Sequence, residues 1–247
     1  MGIQASQNML ENCISKNGDF DPMNDDFNHI RKMLTREFMK GKHYTRVKKD
    51  GYTDFSYPKI FKLMRFHVDR FWVDGFGHFM LMHTKTKFGM ELLTASFMPG
   101  EGGPMPYSIV DYMKIGKKRT IFIEYYECGT EKESFSRLEA VHRKYACLTD
   151  CEEKPHWYVS QRAPYSLIKC GRKGDEAVLA DMLRESVRAY LDEIKAKEGL
   201  FFENSGLREF RERMIKEGNP SSSVLEKVFG KERARKFFLK CVMPIKG

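Results

Sequence analysis

The residue whose surroundings most suggest chemistry is Asp111, an acid inside an otherwise apolar and aromatic run over 104–113. A carboxylate among such neighbours loses hydration, so it holds its proton to higher pH unless a cation pairs with it. A carboxyl group that is neutral near pH 7 can donate a proton to a bound substrate. Asp111 is therefore a candidate proton donor. The alternative is an Asp at a strand edge that faces solvent or bonds the backbone.

A second acid, Glu124, lies in an alternating segment that covers 119–127. In an extended strand, Phe122, Glu124 and Tyr126 share one face of the sheet. Glu124 could be a second acid of the same pocket, but the pattern favours an exposed face for it.

No metal site is expected from the cysteines and histidines. His142, Cys147, Cys151 and His156 contain neither a Cys-x-x-Cys nor a His-x-x-x-His pair, and a separation of five places the first two on different helix faces. The glycine-rich segment 100–103 runs into prolines rather than a helix, which excludes dinucleotide and phosphate-loop sites.

The cysteine count and the hydropathy indicate a cytoplasmic protein. Six cysteines in 247 residues are not a secreted disulfide framework, and a secretory signal is not evident, so reduced thiols are expected. No apolar run approaches the roughly 18 residues that a membrane span needs, and we expect no membrane partner. Residues 1–6 fit the loose acylation pattern M-G-x-x-x-[ST].

The spacing of apolar residues predicts the elements that position these groups. It predicts a first helix that Asp25 or Asp26 caps and Gly41 ends. Alternation and short turns then predict antiparallel strands at 66–73, 79–86, 90–97 and 119–126, and a fifth strand at 165–169. Helical spacing returns at 135–145, 175–197, 207–217, 223–229 and 231–242. We expect an α+β fold with a central antiparallel sheet flanked by helices, made of a loose N-terminal segment over 1–20 and a single domain over 21–247.

The formal net charge is +9, and segments 31–51 and 207–247 each carry an excess of six positive charges. Nucleic acid, anionic lipid or an acidic protein would suit such segments, although most surface charge only solvates a protein. Because no recognition helix or RNA-binding motif is present, we expect no nucleic-acid partner.

Two segments in the C-terminal half resemble the ferredoxin-dependent bilin reductases. Residues 219–242 combine a polar cluster with two helical pieces, the first of which has the sequence Val-Leu-Glu-Lys-Val-Phe-Gly over 224–230. Trp157, followed by Ala-Pro-Tyr-Ser-Leu-Ile-Lys over 163–169, is similar to another family segment.

The strand region 66–113 resembles the same family. It has consecutive strands, one of which ends in the pair Met98-Pro99, and a loop that leads through Pro106 to an Asp five residues on, Asp111. The order and spacing of these segments carry the resemblance, which covers about residues 60–245.

The resemblance implies an α/β/α sandwich that reduces a biliverdin-type linear tetrapyrrole in one-electron steps through substrate radicals. It implies no bound metal or flavin, because electrons arrive from a docked acidic ferredoxin or flavodoxin. It also places Asp111 at the family's catalytic acid, the proton donor to the bilin.

Other family positions differ here, which bears on the reaction. Met82 and Thr94 stand where some members have a pocket Glu and His, with His83 next to the first, and Asn219 stands where an acid often precedes the C-terminal helix. With fewer titratable groups we expect a simpler reaction, either one two-electron reduction or the reduction of a substrate other than biliverdin IXα. The alternative function is a bilin-binding protein of the same fold that does not reduce its ligand. A tetrapyrrole carries carboxylates that need pairing, and the chain offers two basic candidates for that role, Arg162 and Lys169. The expected substrate-binding set is therefore Met82, His83, Thr94, Arg162, Lys169 and Asn219.

Overall fold

The computed structural model describes residues 27–100, 102–129, 134–200, 205–219 and 221–245. The N-terminal segment 1–20, the acylation pattern and the capping residues Asp25 and Asp26 lie outside these described residues.

The centre of the fold is an antiparallel sheet whose longest strands are joined by short turns. Its described strands are β1 (Tyr44–Arg46), β2 (Asp54–Tyr57), β3 (Met64–Val73), β4 (Gly77–Thr86), β5 (Glu91–Pro99), β6 (Tyr107–Ile115), β7 (Lys118–Tyr126) and β8 (Leu167–Arg172). The order across the sheet is β1-β3-β4-β5-β6-β7-β8, and β2 also pairs with β3. A two-residue connection joins β6 to β7, in which Gly116 has a positive φ of 56° that favours glycine.

Helices cover both faces of this sheet because successive side chains alternate between two apolar layers. On one face pack α1 (Phe27–Met39), α2 (Ser136–Tyr145) and α3 (Glu176–Ala196). On the other face pack α4 (Ser205–Lys216), α5 (Ser222–Phe229) and α6 (Lys231–Phe237), followed by a wide helical turn over Phe238–Val242. The predicted α+β class, with an α/β/α sandwich around an antiparallel sheet, is confirmed.

The largest difference from the predicted elements is β6, which the sequence pattern did not indicate as a strand. Prolines at 104 and 106 precede it, and the charged Asp111 interrupts its apolar pattern. Two short strands, β1 and β2, also lie between α1 and β3, where the apolar spacing predicted no strand.

The last predicted helix, 231–242, changes at Phe238 into the wide turn. This turn brings the Val242 carbonyl to the sheet, where it accepts a hydrogen bond of 2.6 Å from Ser96 Oγ. The end of the described chain is thereby fixed against β5.

Some of the cysteines are oxidised, although the sequence favours reduced thiols. Cys151 and Cys170 form a disulfide that links the segment after α2 to β8, which a count of cysteines alone does not reveal. Cys128 and Cys241 are thiols. Within the described ranges, no group of three His, Cys, Asp or Glu side chains is arranged to hold a metal ion. None of the described helices is both long and apolar enough to cross a bilayer.

Candidate active site

A narrow cavity lies between the sheet and the C-terminal helices, with Asp111 on its wall. Its volume is about 30 Å³, room for one or two water molecules. Strands β4 to β7 form the inner wall and α4, α5 and the wide turn form the outer wall. The residues that line it are Met82, Thr94, Tyr107, Ile109, Asp111, Glu124, Tyr126, Met214, Asn219, Ser221, Leu225, Phe237, Phe238 and Val242.

Asp111 enters this cavity from the middle of β6. Thr94 lies directly opposite on β5, and its Oγ1 donates a hydrogen bond of 2.5 Å to Asp111 Oδ1. Burial raises the pKa of the Asp111 carboxyl to about 7, the Thr94 hydrogen bond opposes this rise and the charge of Glu124 adds to it. At neutral pH the group is therefore divided between a proton-carrying and a charged form.

Glu124 is the second carboxyl group of the cavity. It lies on β7 opposite Ile109, and Phe122 lies opposite Asp111, so the two acids occupy diagonal positions on one face of the sheet. Glu124 is 4% exposed, which corrects the expectation that it faces solvent. Burial raises its pKa, although the nearby Arg162 guanidinium opposes that rise.

Arg162 reaches the cavity edge through Glu124. Its Nη2 lies 2.5 Å from Glu124 Oε1, and its guanidinium also donates bonds of 2.7 and 2.9 Å to the two oxygens of Glu153. Tyr126 donates a further hydrogen bond of 3.0 Å to Glu124. Arg162 thus holds Glu124 in place, and its charge is already shared between two carboxylates.

Asn219 occupies the connection between α4 and α5, at the cavity mouth. Its Nδ2 donates to the Met214 carbonyl at 3.3 Å and its Oδ1 accepts from the Ser221 amide at 3.1 Å. The side chain is therefore fixed by the local turn. Met82 contributes an apolar wall from β4.

His83 and Lys169 lie outside the cavity, contrary to the expectation that they line it. His83 follows Met82 on a strand, so it faces the opposite layer, where it stacks on Phe27 and its Nε2 lies 2.8 Å from Glu91. Its pKa is lowered by burial.

Lys169 likewise belongs to the opposite face. Its Nζ donates to the carbonyls of Ala146 and Leu148 at 3.3 and 3.0 Å and to Asp150 at 2.6 Å. The alternation of β8 directs it under the segment that follows α2, where it fixes that segment.

An open groove adjoins the cavity on its outer side. It has a volume of about 620 Å³ and lies between α4, α5 and α6. Asn219, Leu225 and Phe238 line both spaces and separate them. Because small-molecule pockets have volumes of about 300–1,000 Å³, the groove has the size of a ligand site and the cavity is its deep end.

The sequence left two features of this site undecided. Glu124 shares the cavity with Asp111 because of the β6–β7 register, which becomes visible only once β6 is recognised as a strand. The outer wall, with Met214, Leu225 and Phe238, depends on how the C-terminal helices pack on the sheet. Helical periodicity gives only their apolar faces.

Comparisons with known proteins give a structural likeness and no sequence match. No family model matches the chain, and no curated protein matches it. The chain is similar to the crystal structure of phytochromobilin synthase from tomato in complex with biliverdin, with a TM-score of 0.71 over 86% of this chain and 80% of that one, at 10% identity. The chain therefore has the fold of phytochromobilin synthase.

Proposed function

We propose that this chain binds a linear tetrapyrrole between the sheet and the C-terminal helices and reduces it, with Asp111 as the proton donor. The observation that carries the proposal is Asp111 itself, a carboxyl group in an otherwise mainly apolar cavity whose pKa is raised to about 7. The solved structure with the same fold contains biliverdin, which supports a bilin as the ligand class.

The proposed reduction depends on Asp111 carrying a proton when the bilin is bound. Reduction of one double bond of a bilin consumes two electrons and two protons. Asp111 in its acid form gives the first proton as the pigment accepts an electron, because protonation removes the charge that would otherwise build up in an apolar cavity. The second proton enters from solvent, and Asp111 is then reprotonated from water at the cavity mouth.

Electrons arrive one at a time from a docked acidic ferredoxin or flavodoxin, with no cofactor held by the chain itself. The surface of α6 supports this part of the proposal. This helix carries four bases, Lys231, Arg233, Arg235 and Lys236, against one acid, Glu232, and two of the bases, Lys231 and Arg235, line the groove. Opposite charges steer association, so an acidic donor would approach on this side.

The assay that tests the proposal is anaerobic incubation with biliverdin, a reduced ferredoxin and a reductant that regenerates it. We expect new absorbance bands with the unmodified chain. For Asp111→Asn we expect the absorbance shift of bound biliverdin to persist while turnover falls by roughly two to four orders of magnitude, the usual contribution of a general acid.

The matched control is Asp192→Asn, an exposed acid on α3 across the sheet, which should turn over normally. Normal turnover by Asp111→Asn would remove the proton-donor role. Absence of any biliverdin shift with the unmodified chain would remove the bilin proposal as a whole.

A second candidate function is a bilin carrier that does not reduce its ligand. Met82, Thr94 and Asn219, which face the cavity, have no titratable group near neutral pH, so the cavity holds few proton donors. The same assay separates the two functions. A static, shifted spectrum under reducing conditions would indicate carriage, and progressive new bands would indicate catalysis.

A further inference from the structure

One end of the sheet collects exposed apolar side chains on its turns. Ile60 and Phe61 lie in the β2–β3 loop and are 87% and 65% exposed, Phe88 in the β4–β5 turn is 84% exposed, and Ile115 before the β6–β7 turn is 51% exposed. Single exposed apolar residues scattered over a protein surface are normal. Four large ones gathered at one end of a sheet are typical of a surface that contacts a partner. We call this surface the loop end.

The antiparallel topology brings these turns together. The Lys87 amide donates to the Leu63 carbonyl at 2.9 Å, which joins the β4–β5 turn to the β2–β3 loop. The Lys173 amide donates to the Lys117 carbonyl at 2.8 Å, which joins the β6–β7 turn to the turn after β8. The pairing of β5 with β6, in which Glu91 lies opposite Lys114, places the β4–β5 turn beside the β6–β7 turn. The loop end is therefore one surface supported by the sheet.

Basic side chains surround the apolar tips. Lys59 and Lys62 flank Ile60 and Phe61, and Lys87 precedes Phe88. The exposed bases of the loop end are Lys59, Lys62, Arg65, Lys87, Lys117, Lys118, Arg172 and Lys173.

The acids at this end are already bonded. Glu91 lies 2.8 Å from both His83 and Lys85, Asp175 accepts from the Arg172 amide, and Glu176 pairs with Arg119 at 2.8 Å. The loop end thus has a positive field around an apolar centre.

We propose that the loop end docks on the surface of an anionic phospholipid bilayer, with the apolar tips inserted below the headgroups and the lysines among them. Lysine stems can lie along inserted apolar groups while their ammonium ends stay at the headgroup level. Anionic leaflets attract clustered bases, and apolar side chains add affinity that does not depend on charge. The expectation of no membrane partner rested on the absence of a spanning segment, which a surface contact does not need.

Other partners fit the loop end less well. A second copy of this chain would bring two positive fields together. A nucleic acid would satisfy the lysines, but Ile60 and Ile115 have no ring to stack on a base. The combination of aliphatic tips and bases therefore favours lipid.

The test is sedimentation of the purified chain with vesicles of phosphatidylcholine, with and without about 30% phosphatidylserine, at about 0.1 M salt. We expect binding to the anionic vesicles and little to the neutral ones. The triple change Ile60→Ser, Phe61→Ser and Phe88→Ser should weaken vesicle binding at least about tenfold. Insertion of a single large apolar side chain already contributes about a tenfold increase in affinity. Lys117→Glu with Lys118→Glu should weaken it about as much.

Matched controls come from the far end of α3. Its 21 residues separate the two ends by about 30 Å. Lys195→Glu and Leu200→Ser change residues of the same types there, where Lys195 is 78% and Leu200 is 51% exposed, and they should leave vesicle binding unchanged. In addition, Phe88→Trp should bind as well as the unmodified chain and shift its emission to the blue with anionic vesicles.

Three results would overturn the proposal. One is that the unmodified chain stays in solution with anionic vesicles. Another is that the triple Ser variant binds anionic vesicles as well as the two control variants do, which would show that the apolar side chains do not insert. The third is that a short RNA binds tightly while anionic vesicles do not, which would make the loop end a nucleic-acid contact.

Discussion

Asp111 carries a cost to stability that follows from its place in the cavity. The acid ionises near its ordinary pKa of 3.8 in the unfolded chain, but burial raises its pKa to about 7 in the folded protein. Between these two values the folded state binds more protons than the unfolded state, so the free energy of unfolding falls as the pH rises. The fall stops above the folded pKa, where both states are ionised.

Asp111→Asn should therefore change how stability depends on pH. From about pH 5.5 to pH 8 the unmodified chain should lose about 2 kcal/mol of unfolding free energy through this one group, at about 1.36 kcal/mol for each pH unit below the folded pKa. Urea unfolding at both pH values measures this decrease in unfolding free energy. The decrease should be absent in Asp111→Asn and should persist in Asp192→Asn. Equal pH dependence in all three proteins would show that Asp111 is not held in its acid form.

The charge of Glu124 contributes to the raised pKa of Asp111. This charge, stabilised by Arg162 at 2.5 Å, disfavours a second charge on Asp111 at the diagonal position. Glu124→Gln should lower the pKa of Asp111, so the loss of reduction rate at high pH should begin at lower pH. A pH–rate profile of single-turnover bilin reduction measures this change.

The control for this expectation is Glu153→Gln. Glu153 also bonds Arg162 but does not line the cavity, so its removal should leave the midpoint of the profile in place. A common shift in both variants would mean that the Arg162 pairing as a whole, and not the Glu124 charge, sets the Asp111 pKa.

Among the elements, α5 and the wide turn stand between Asp111 and the open groove. Leu225 and Phe238 stand between the groove of about 620 Å³ and the cavity of about 30 Å³. Under the proposed function, a tetrapyrrole would first occupy the groove, and it would contact Asp111 only after these side chains move. The packing of α5 against the sheet is expected to limit the rate of that step.

Leu225→Ala should speed the association of biliverdin several-fold by removing part of this barrier. Stopped-flow absorbance measures the rate, and stability should fall by about 2–5 kcal/mol, as for other buried Leu→Ala changes. Leu207→Ala is the control, because Leu207 is buried in the same apolar layer but does not line the cavity. It should cost similar stability without faster association. Equal acceleration in both variants would indicate general loosening of the layer.

The sequence predicted the positions of helices and strands better than it predicted which side chains share one face of the sheet. Periodicity located α1, α3 and the strands β3, β4, β5 and β7, because each has a regular apolar pattern. It missed β6 because the acidic Asp111 breaks that pattern, so the proposed proton donor also concealed its own strand. His83 was placed in the cavity by its nearness to Met82, although a shift of one residue along a strand reverses the face.

At the level of the whole molecule, positive charge is clustered on two surfaces besides the basic segment 31–51. One is the basic surface of α6 beside the groove, and the other is the loop end of the sheet. The gathering of bases at the loop end could not be predicted from the sequence, since they come from four connections and three strands that lie far apart along the chain. Net charge describes the chain as a whole, whereas the positions of the charges depend on topology.

The two walls of the cavity are far apart along the chain. The inner wall ends at Tyr126, and the outer wall comes from Met214 onward to Val242. During synthesis the strands that carry both acids emerge before the helices that cover them, so the apolar face of these strands has no cover until α4, α5 and α6 follow. Any pigment can be enclosed only after α4, α5 and α6 have left the ribosome, so their emergence sets the earliest moment of loading.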